Sequence, residues 1–400
     1  MPVGPALLAL QGVIRHYAWG SPTAIPELLG IEPTGEPAAE LWLGAHPDAP
    51  AEVPAVGATL DKLIVDDPLG MLGPAVVERF GPRLPFLVKV IAPAHVLSLQ
   101  VHPTLAQARV GFAAEEARGL PRDSAPRSYR DANHKPELLC ALTDFDALCG
   151  FRPMDETRQL IDILDVPALV PYRDRLSQSD GLRSVFTALL ELDDAGRVAL
   201  VPDVLDACRR VARTTGDWSR EAEFVLRAAD DYPADIGPVL CLLLNAVPLR
   251  SGEAIFLAAG NVHAYLRGVG VEIMATSDNT LRCGMTPKHV DVPEVLRITD
   301  FTPLPEPRWP AQPDRSGEHV FQPPIPDFAL SMVALDGSVE LTTDGPQILL
   351  CTDGSADISS AGADVSLGRG QAVFVAAGRA CGVAGKGTVF RGTTGTLSHR

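Results

Sequence analysis

Polar residues occupy alternate positions in the stretch LSLQVHP, which otherwise has the pattern of a buried strand. Ser98, Gln100 and His102 alternate there with leucine and valine. Because side chains two apart on a strand point to the same face, these three would form a polar row inside the protein. Burying such a row is unfavourable unless the side chains bind something. The pattern therefore predicts a ligand on this strand.

A metal ion is the ligand that these residue types suit, together with two residues further along the chain. Imidazole and carboxylate groups bind zinc, and a carboxamide oxygen can fill a further position. Three β segments that converge on one barrel interior would bring the candidate ligands together: Gln100, His102, Glu137 and His263. The spacing alone leaves His134 and His289 as alternative ligands.

The elements that position these residues are predicted to be mainly β, with one helical interruption. Short β segments between proline and glycine turns fill residues 1–152, and β segments resume over 246–310. Between them, over 153–245, apolar residues such as Val204, Leu205, Cys208 and Val211 recur at helical spacing. We therefore expect one jelly-roll barrel in two parts (1–152 and 246–310), a helical insert, and a C-terminal jelly roll over 311–400.

An internal repeat supports two related barrels of the cupin or jelly-roll type. LRSGEAIFLAAGNVH, residues 249–263, resembles LGRGQAVFVAAGRAC, residues 367–381. A glycine turn, a short apolar strand and a second glycine turn form a typical barrel unit. The first copy ends in His263 and the second in Cys381, so we predict that the second barrel lacks the metal ligand and is structural.

The net charge and the cysteine content indicate which partners and which cellular compartment to expect. The formal net charge is −16 and the pI about 5.0, which disfavours binding to nucleic acid or to an anionic membrane. The seven cysteines contain no C-x-x-C pair, as expected in a reducing compartment. No signal peptide or membrane-spanning segment is predicted, and we expect a cytoplasmic monomer.

Lysine is scarce. Only five of the 34 basic residues are lysines, namely Lys62, Lys89, Lys135, Lys288 and Lys386. Ammonium and guanidinium groups are not interchangeable, so lysines that persist in an arginine-rich chain are candidate functional groups. In a chain this acidic, an anionic substrate requires such positive charge locally.

Five stretches, in order, strongly resemble the type I phosphomannose isomerase family: ELWLGAHPDAP, LPFLVKV with LSLQVHP, NHKPELLCAL, GEAIFLAAGNVHAYL and VEIMATSDNTLRCGMTPKHVDV. The earlier HYAWGS also fits the start of that family. The resemblance implies a zinc enzyme that interconverts mannose 6-phosphate and fructose 6-phosphate, a small phosphosugar substrate, through a cis-enediol or enediolate.

The resemblance also assigns roles to individual residues. It places zinc on Gln100, His102, Glu137 and His263, and makes Arg282 the catalytic arginine. Lys135 and Asp278 fall beside the reacting carbons, and either could be the base. Lys89, Ser98 and Lys288 fall where phosphate contacts are expected.

Two other functions remain open at the level of sequence. A cupin oxygenase would hold Fe(II) with two histidines and a carboxylate, which His102, His263 and Glu137 could supply. The lysines of NHKPE and TPKHVDV argue against it, because such an enzyme needs no phosphate clamp. A non-catalytic sugar-phosphate-binding cupin is the other alternative, and it would not require Arg282.

Overall fold

The N-terminal segment of the computed structural model contains nine strands and five helices; the structure describes residues 7–314 and 317–396. The strands are β1 (Leu7–Leu10), β2 (Val13–Arg15), β3 (Glu40–Gly44), β4 (Glu52–Val53), β5 (Ala58–Thr59), β6 (Phe86–Ile91), β7 (Leu99–Val101), β8 (Glu137–Ala141) and β9 (Phe145–Phe151). The helices are α1 (Ala24–Leu29), α2 (Leu60–Asp66), α3 (Pro68–Leu72), α4 (Pro74–Phe80) and α5 (Leu105–Ala117).

Helices follow from Met154, where the insert was predicted. They are α6 (Met154–Leu164), α7 (Val170–Arg175), α8 (Gly181–Leu190), α9 (Asp194–Ala212), α10 (Ser219–Asp231) and α11 (Gly237–Leu240), with short 3₁₀ turns at Pro167–Leu169 and Cys241–Leu243. The apolar residues that predicted a helix, among them Val204 and Cys208, lie on the buried side of α9. Amphipathic helices of this kind gain most of their stability from packing that apolar face.

The chain then returns to strands. These are β10 (Leu244–Leu249), β11 (Ala254–Leu257), β12 (His263–Arg267), β13 (Gly270–Ala275) and β14 (Leu281–Gly284), followed by α12 (Val292–Ile298). They complete two antiparallel sheets with the N-terminal strands, in the orders β11–β8–β13–β6–β3–β2 and β10–β9–β12–β7–β14. The mainly β, cupin-like fold that the sequence predicted is confirmed by the structural relatives described below.

The C-terminal strands are β15 (Gln312–Pro313), β16 (His319–Phe321), β17 (Ala329–Leu341), β18 (Gln347–Ser360), β19 (Ala363–Gly368), β20 (Ala372–Val375) and β21 (Cys381–Thr393). They form the third large sheet, ordered β1–β20–β18–β21–β17–β16–β15, with β19 on β18. Strand β1 is thus part of this C-terminal sheet, although the predicted division assigned residues 1–152 to the other barrel. Its register pairs Leu7 with Val375 and Leu10 with Ala372, a pairing that apolar alternation alone does not specify.

Four layers result from the alternation of side chains along the strands. Leu99 and Val101 of β7 pack outward against the helical insert, while Gln100 between them faces a cavity. Val88 and Val90 of β6 pack the other way, against the C-terminal sheet. The inner faces of the five- and six-stranded sheets therefore meet each other, and the polar residues of the predicted site lie between them. No described helix is long and apolar enough to cross a membrane.

Candidate metal centre and active site

A cavity of about 1190 Å³ opens between the two inner sheet faces. It is lined by every predicted substrate-binding and catalytic residue, and by two of the predicted metal ligands, Gln100 and Glu137. The remaining two ligands, His102 and His263, lie behind this lining, with 1% and 0% of their surface exposed. The topology thus brings together residues from opposite ends of the first 290 positions.

His102, Glu137 and His263 form one buried cluster whose ligand atoms all lie within 4.8 Å of one another. The Nε2 atom of His102 is 3.5 Å from Oε1 of Glu137, and the Nε2 atom of His263 is 3.4 Å from Oε2. Both Nε2 atoms and Glu137 Oε2 are buried without a hydrogen-bond partner. Three converging lone-pair donors without partners are unfavourable unless a cation satisfies them.

Backbone carbonyls fix the orientation of both imidazole rings. His102 Nδ1 lies 2.7 Å from the carbonyl oxygen of Asn279, and His263 Nδ1 lies 3.0 Å from that of Asn261. A carbonyl oxygen can only accept, so each Nδ1 carries the proton and each Nε2 presents a lone pair to the cluster. This arrangement, in which the second ring nitrogen donates to a carbonyl, is typical of metal-binding histidines. The donor set therefore fits zinc.

Gln100 lies beside the cluster because of strand register. It is paired with His263 on one side and with Arg282 on the other. Its half-buried side chain lines the cavity, so it can reach the cluster from β7. The alternative histidines do not join it: His134 Nε2 is 3.0 Å from Asp327 Oδ1, and His289 is exposed at the cavity rim.

The charges and the burial around the cluster favour the deprotonated forms of His102 and Glu137. Burial, and next the charge of Lys135, lowers the pKa of His102 to about 4, although Glu137 opposes the shift. Burial would raise the pKa of Glu137, but Lys135 and His102 outweigh it and hold that pKa well below its usual range. Lys135 Nζ lies 2.7 Å from Glu137 Oε1. Near neutral pH, both groups are therefore deprotonated, as metal ligands must be.

Lys89 lies in a separate acidic environment on the cavity wall. Its Nζ is 3.6 Å from Glu40 Oε2 and 3.4 Å from Glu272 Oε2. Burial alone would lower the pKa of Lys89, but these two carboxylates outweigh it and raise that pKa above its ordinary value. Tyr265 donates its hydroxyl to Glu272 over 2.8 Å. These contacts could not be predicted from the sequence, because the partners lie on different strands that are distant along the chain.

A second group of cations at the same cavity comprises Arg130, Arg282 and Lys288. All three line the cavity, and none forms an ion pair with any residue that the structure describes. Burial, and next the charge of Arg130, lowers the pKa of Arg282. Burial, and then Arg282 and Arg130, lowers the pKa of Lys288. Mutual repulsion among unpaired cations is typical of a site that binds an anion.

Sequence reasoning missed Arg130. It belongs to the loop SYRDANHK, and its backbone N–H donates to Asn279 Oδ1 over 2.7 Å. In a chain with so many arginines its residue type gave no signal. Its position just before the NHKPE motif was the available clue.

The remaining predicted residues also border the cavity. Asp278 lies 3.5 Å from His46 Nε2, measured to Oδ1, and its backbone N–H donates to Asp131 Oδ2. Ser98 is half-buried next to Gln100. The site therefore combines a buried cluster of metal-binding residue types with a group of unpaired cations and the carboxylate of Asp278, all at one cavity.

Comparison with known proteins identifies relatives over most of the chain. Residues 7–154 match the catalytic domain of phosphomannose isomerase type I. A mannose-6-phosphate isomerase of Escherichia coli (strain K12) is 39% identical over 377 residues, covering 91% of this chain and 93% of the relative. One from Bos taurus is 34% identical over 411 residues, covering 92% and 93%.

A solved structure agrees over nearly the whole chain. The mannose 6-phosphate isomerase of Salmonella typhimurium, bound to its substrate fructose 6-phosphate and to zinc, is 34% identical, with a TM-score of 0.89, and the match covers 98% of this chain and 100% of that one. Identity at this level over more than nine-tenths of both proteins extends the resemblance seen in the motifs into the C-terminal sheet. This chain therefore belongs to the type I phosphomannose isomerase family.

Proposed function

We propose that this protein interconverts mannose 6-phosphate and fructose 6-phosphate, and that one zinc ion binds to Gln100, His102, Glu137 and His263. The observation that carries the metal assignment is the set of three buried ligand atoms without partners. The related enzymes that carry this activity, one of them solved with zinc and fructose 6-phosphate, support the reaction.

The bound zinc supplies a Lewis acid that orients and polarises the sugar oxygens at C1 and C2. The protein contributes the ring orientation of His102 and His263 through their carbonyl partners. It also contributes the negative charge of Glu137, which partly neutralises the ion. Lys135, within 2.7 Å of Glu137, also lines the cavity, which supports a role for its ammonium as a hydrogen-bond donor to a substrate oxygen.

The phosphate group is proposed to bind at the cationic group. Lys288 and Arg130 supply unpaired charge, and the hydroxyl of Ser98 supplies a hydrogen bond. We do not assign Lys89 to the phosphate contact that the family resemblance implied. Two carboxylates already lie within 4 Å of its ammonium, so a phosphate dianion there would meet net negative charge.

Asp278 is the proposed base that moves the proton between C1 and C2. A carboxylate is deprotonated at neutral pH without help, whereas a lysine must first lose its proton. This favours Asp278 over Lys135, which is paired with Glu137. Asp278 lines the same cavity as Lys288 and Arg282, and its side chain is 21% exposed.

Arg282 is proposed to stabilise the negative charge of the enediolate. Strand register places it directly beside Gln100, and its guanidinium is permanently charged. A preorganised donor aimed at charge that appears during the reaction is among the strongest sources of rate enhancement.

The decisive experiment removes and restores the metal. Metal-free protein should be inactive in a coupled assay on mannose 6-phosphate, and one equivalent of zinc per chain should restore the rate. Full activity of rigorously metal-free protein would contradict the proposal. Oxygen consumption with Fe(II) would favour an oxygenase, and binding of mannose 6-phosphate without turnover would favour a sugar-phosphate sensor.

We further propose that the protein acts as a cytoplasmic monomer without a nucleic-acid partner. The net charge of −16 opposes nucleic-acid binding, and all seven cysteines are buried free thiols. Gel filtration with light scattering should give a mass near 42.5 kDa. A stable dimer would contradict the monomer.

A further inference from the structure

His46 is a buried histidine that no part of the proposed mechanism uses. It follows β3 in the stretch ELWLGAHPDAP and is only 2% exposed. The indole of Trp42 packs edge-on against its ring, with centroids 4.8 Å apart and planes at 70°. Its Nε2 faces the carboxylate of Asp278 at 3.5 Å. The ring is therefore held by packing and directed at the proposed base.

The hydrogen bond at the other ring nitrogen determines where the proton lies. The backbone N–H of Asp48 donates to Nδ1 of His46 over 3.2 Å. Because Nδ1 accepts, it carries no proton, and the neutral ring must carry its proton on Nε2. That proton lies between His46 and Asp278.

Burial keeps this ring neutral. It lowers the pKa of His46 below the ordinary value, although Asp278 opposes the shift. The other charged groups that face the ring are Lys89, which also lowers the pKa, and Asp48 and Asp131, which raise it. A neutral donor orients a carboxylate without neutralising its charge, so the carboxylate stays a base.

Asp278 needs such a partner. Its backbone is fixed by the N–H···Oδ2 contact to Asp131, but of the residues that the structure describes, His46 provides the only basic nitrogen within 4 Å of its carboxylate. A base that is in turn oriented by a third group is a recurring arrangement in active sites. The 3.5 Å separation is longer than a well-formed hydrogen bond, as is common before substrate closes the site.

We propose that His46 is a positioning residue: its Nε2–H holds one oxygen of Asp278 and leaves the other for the substrate proton. The proposal rests on the proposed function, in which Asp278 is the base. It differs from that function in assigning a role to a residue that touches neither metal nor sugar. His46→Ala should therefore lower kcat on the order of 10- to 100-fold, as loss of an orienting partner does at other sites, while KM and zinc content stay near those of the parent protein.

Two comparisons separate positioning from a merely structural role. His46→Gln places an amide donor near the position of Nε2 and should recover most of the lost kcat. In the double variant His46→Ala/Asp278→Asn, the loss should be no greater than in Asp278→Asn alone, because residues that act as one unit are not additive.

The pH profile gives an independent readout. As the pH falls through the lowered pKa of His46, the imidazolium forms and binds Asp278 more tightly, which weakens the base. The acidic limb of kcat should therefore contain a titration that His46→Gln removes. Activities are measured on zinc-loaded protein, with melting temperature and zinc content recorded for each variant.

The outcomes distinguish failure of the base assignment of Asp278 from failure of the positioning role of His46. Full activity of Asp278→Asn would overturn the base assignment, and with it the role of His46. If Asp278→Asn keeps only a small residual kcat and His46→Ala lowers that residual kcat by the same factor as in the parent protein, only the positioning role is overturned. The same holds if His46→Gln stays folded and rescues nothing. Two metal ions per chain, one of them lost in His46→Ala, would instead make His46, Asp48 and Asp278 a second cation site.

Discussion

The two copies of the glycine-turn repeat share their strand pattern and their glycine conformations but differ in the residues that surround them. In the first copy, strand β11 (Ala254–Leu257) is followed by β12, which begins at His263. In the second, β20 (Ala372–Val375) is followed by β21, which begins at Cys381. The flanking glycines correspond as well, with φ of 85° and 83° at Gly252 and Gly260, and 80° and 67° at Gly370 and Gly378.

What differs is the set of strands that each copy packs against. β11 pairs with β8, which brings Glu137 to the site, and β12 meets Gln100 of β7. Cys381 instead lies in an apolar cluster with residues such as Val373, Val383 and Val389. The comparison teaches that the repeat brings a side chain to the start of a strand. Whether that side chain is part of a candidate metal site depends on the residues of the neighbouring strands.

The largest effect is expected from the two equivalent positions themselves. His263→Ala should remove a buried ligand and abolish both zinc binding and isomerase activity, measured by metal analysis and the coupled assay. The matched variant Cys381→Ala truncates a thiol in an apolar cluster and should change neither. Loss of zinc in Cys381→Ala would show that the C-terminal copy takes part in metal binding after all.

The next effect concerns Arg282, which adjoins the first copy through Gln100. Arg282→Ala should lower kcat by about 10²–10³, the typical loss for one preorganised donor, with KM and zinc content little changed. Substrate binding by calorimetry should persist. A steep rise in KM with kcat intact would instead make Arg282 a phosphate ligand.

A smaller effect is expected at the cationic group, where we propose that the phosphate binds. Lys288→Ala and Arg130→Ala should each raise KM for the phosphosugar, because one charge-assisted hydrogen bond to phosphate contributes ~2 kcal/mol. Lys62→Ala, at an exposed lysine away from the cavity, is the control. An unchanged KM in Arg130→Ala would exclude that residue from the phosphate site.

The smallest effect is on stability: the ligand cluster beside the first copy should cost stability in acid, and Cys381 of the second copy should cost stability in alkali. In metal-free protein, the pKa of His102, near His263, is lowered to about 4. Between about pH 6.5 and 4 the unfolded chain binds a proton that the folded state excludes, so stability falls as the pH falls. The depressed pKa of Glu137 adds to that loss in acid.

Around the C-terminal copy the change should come on the alkaline side, where other buried thiols whose pKa burial raises, such as Cys140 and Cys149, contribute as well. Burial raises the pKa of Cys381 to about 11, so the unfolded thiol ionises first and stability falls above about pH 9. Melting temperatures across the pH range, with and without zinc, measure both limbs. An acid limb that zinc does not reduce would contradict the assignment of that limb to the ligand cluster.

The sequence predicted that the candidate ligands lie together better than it predicted what surrounds them. Alternation in LSLQVHP and the repeat ending in His263 were readable, because side-chain direction in a strand follows from its period of two. The backbone carbonyls of Asn279 and Asn261, which orient the two histidines, could not be predicted, because every residue type carries a backbone carbonyl. Glu40 and Glu272 around Lys89 depend on strand pairing across long distances in sequence, which local patterns do not encode.

The pairing of β1 with β20 sets an order of events during synthesis. Residues 7–10 are synthesised long before their partner, Ala372–Val375. At about 5–20 residues per second, the N-terminal strand waits on the order of 20–70 s for that partner. During that interval Leu8 and Leu10, which end buried, have no β20 to cover them. A nascent chain arrested before residue 372 should therefore keep residues 7–10 accessible to protease, and the C-terminal sheet gains β1 only after Val375 has been synthesised.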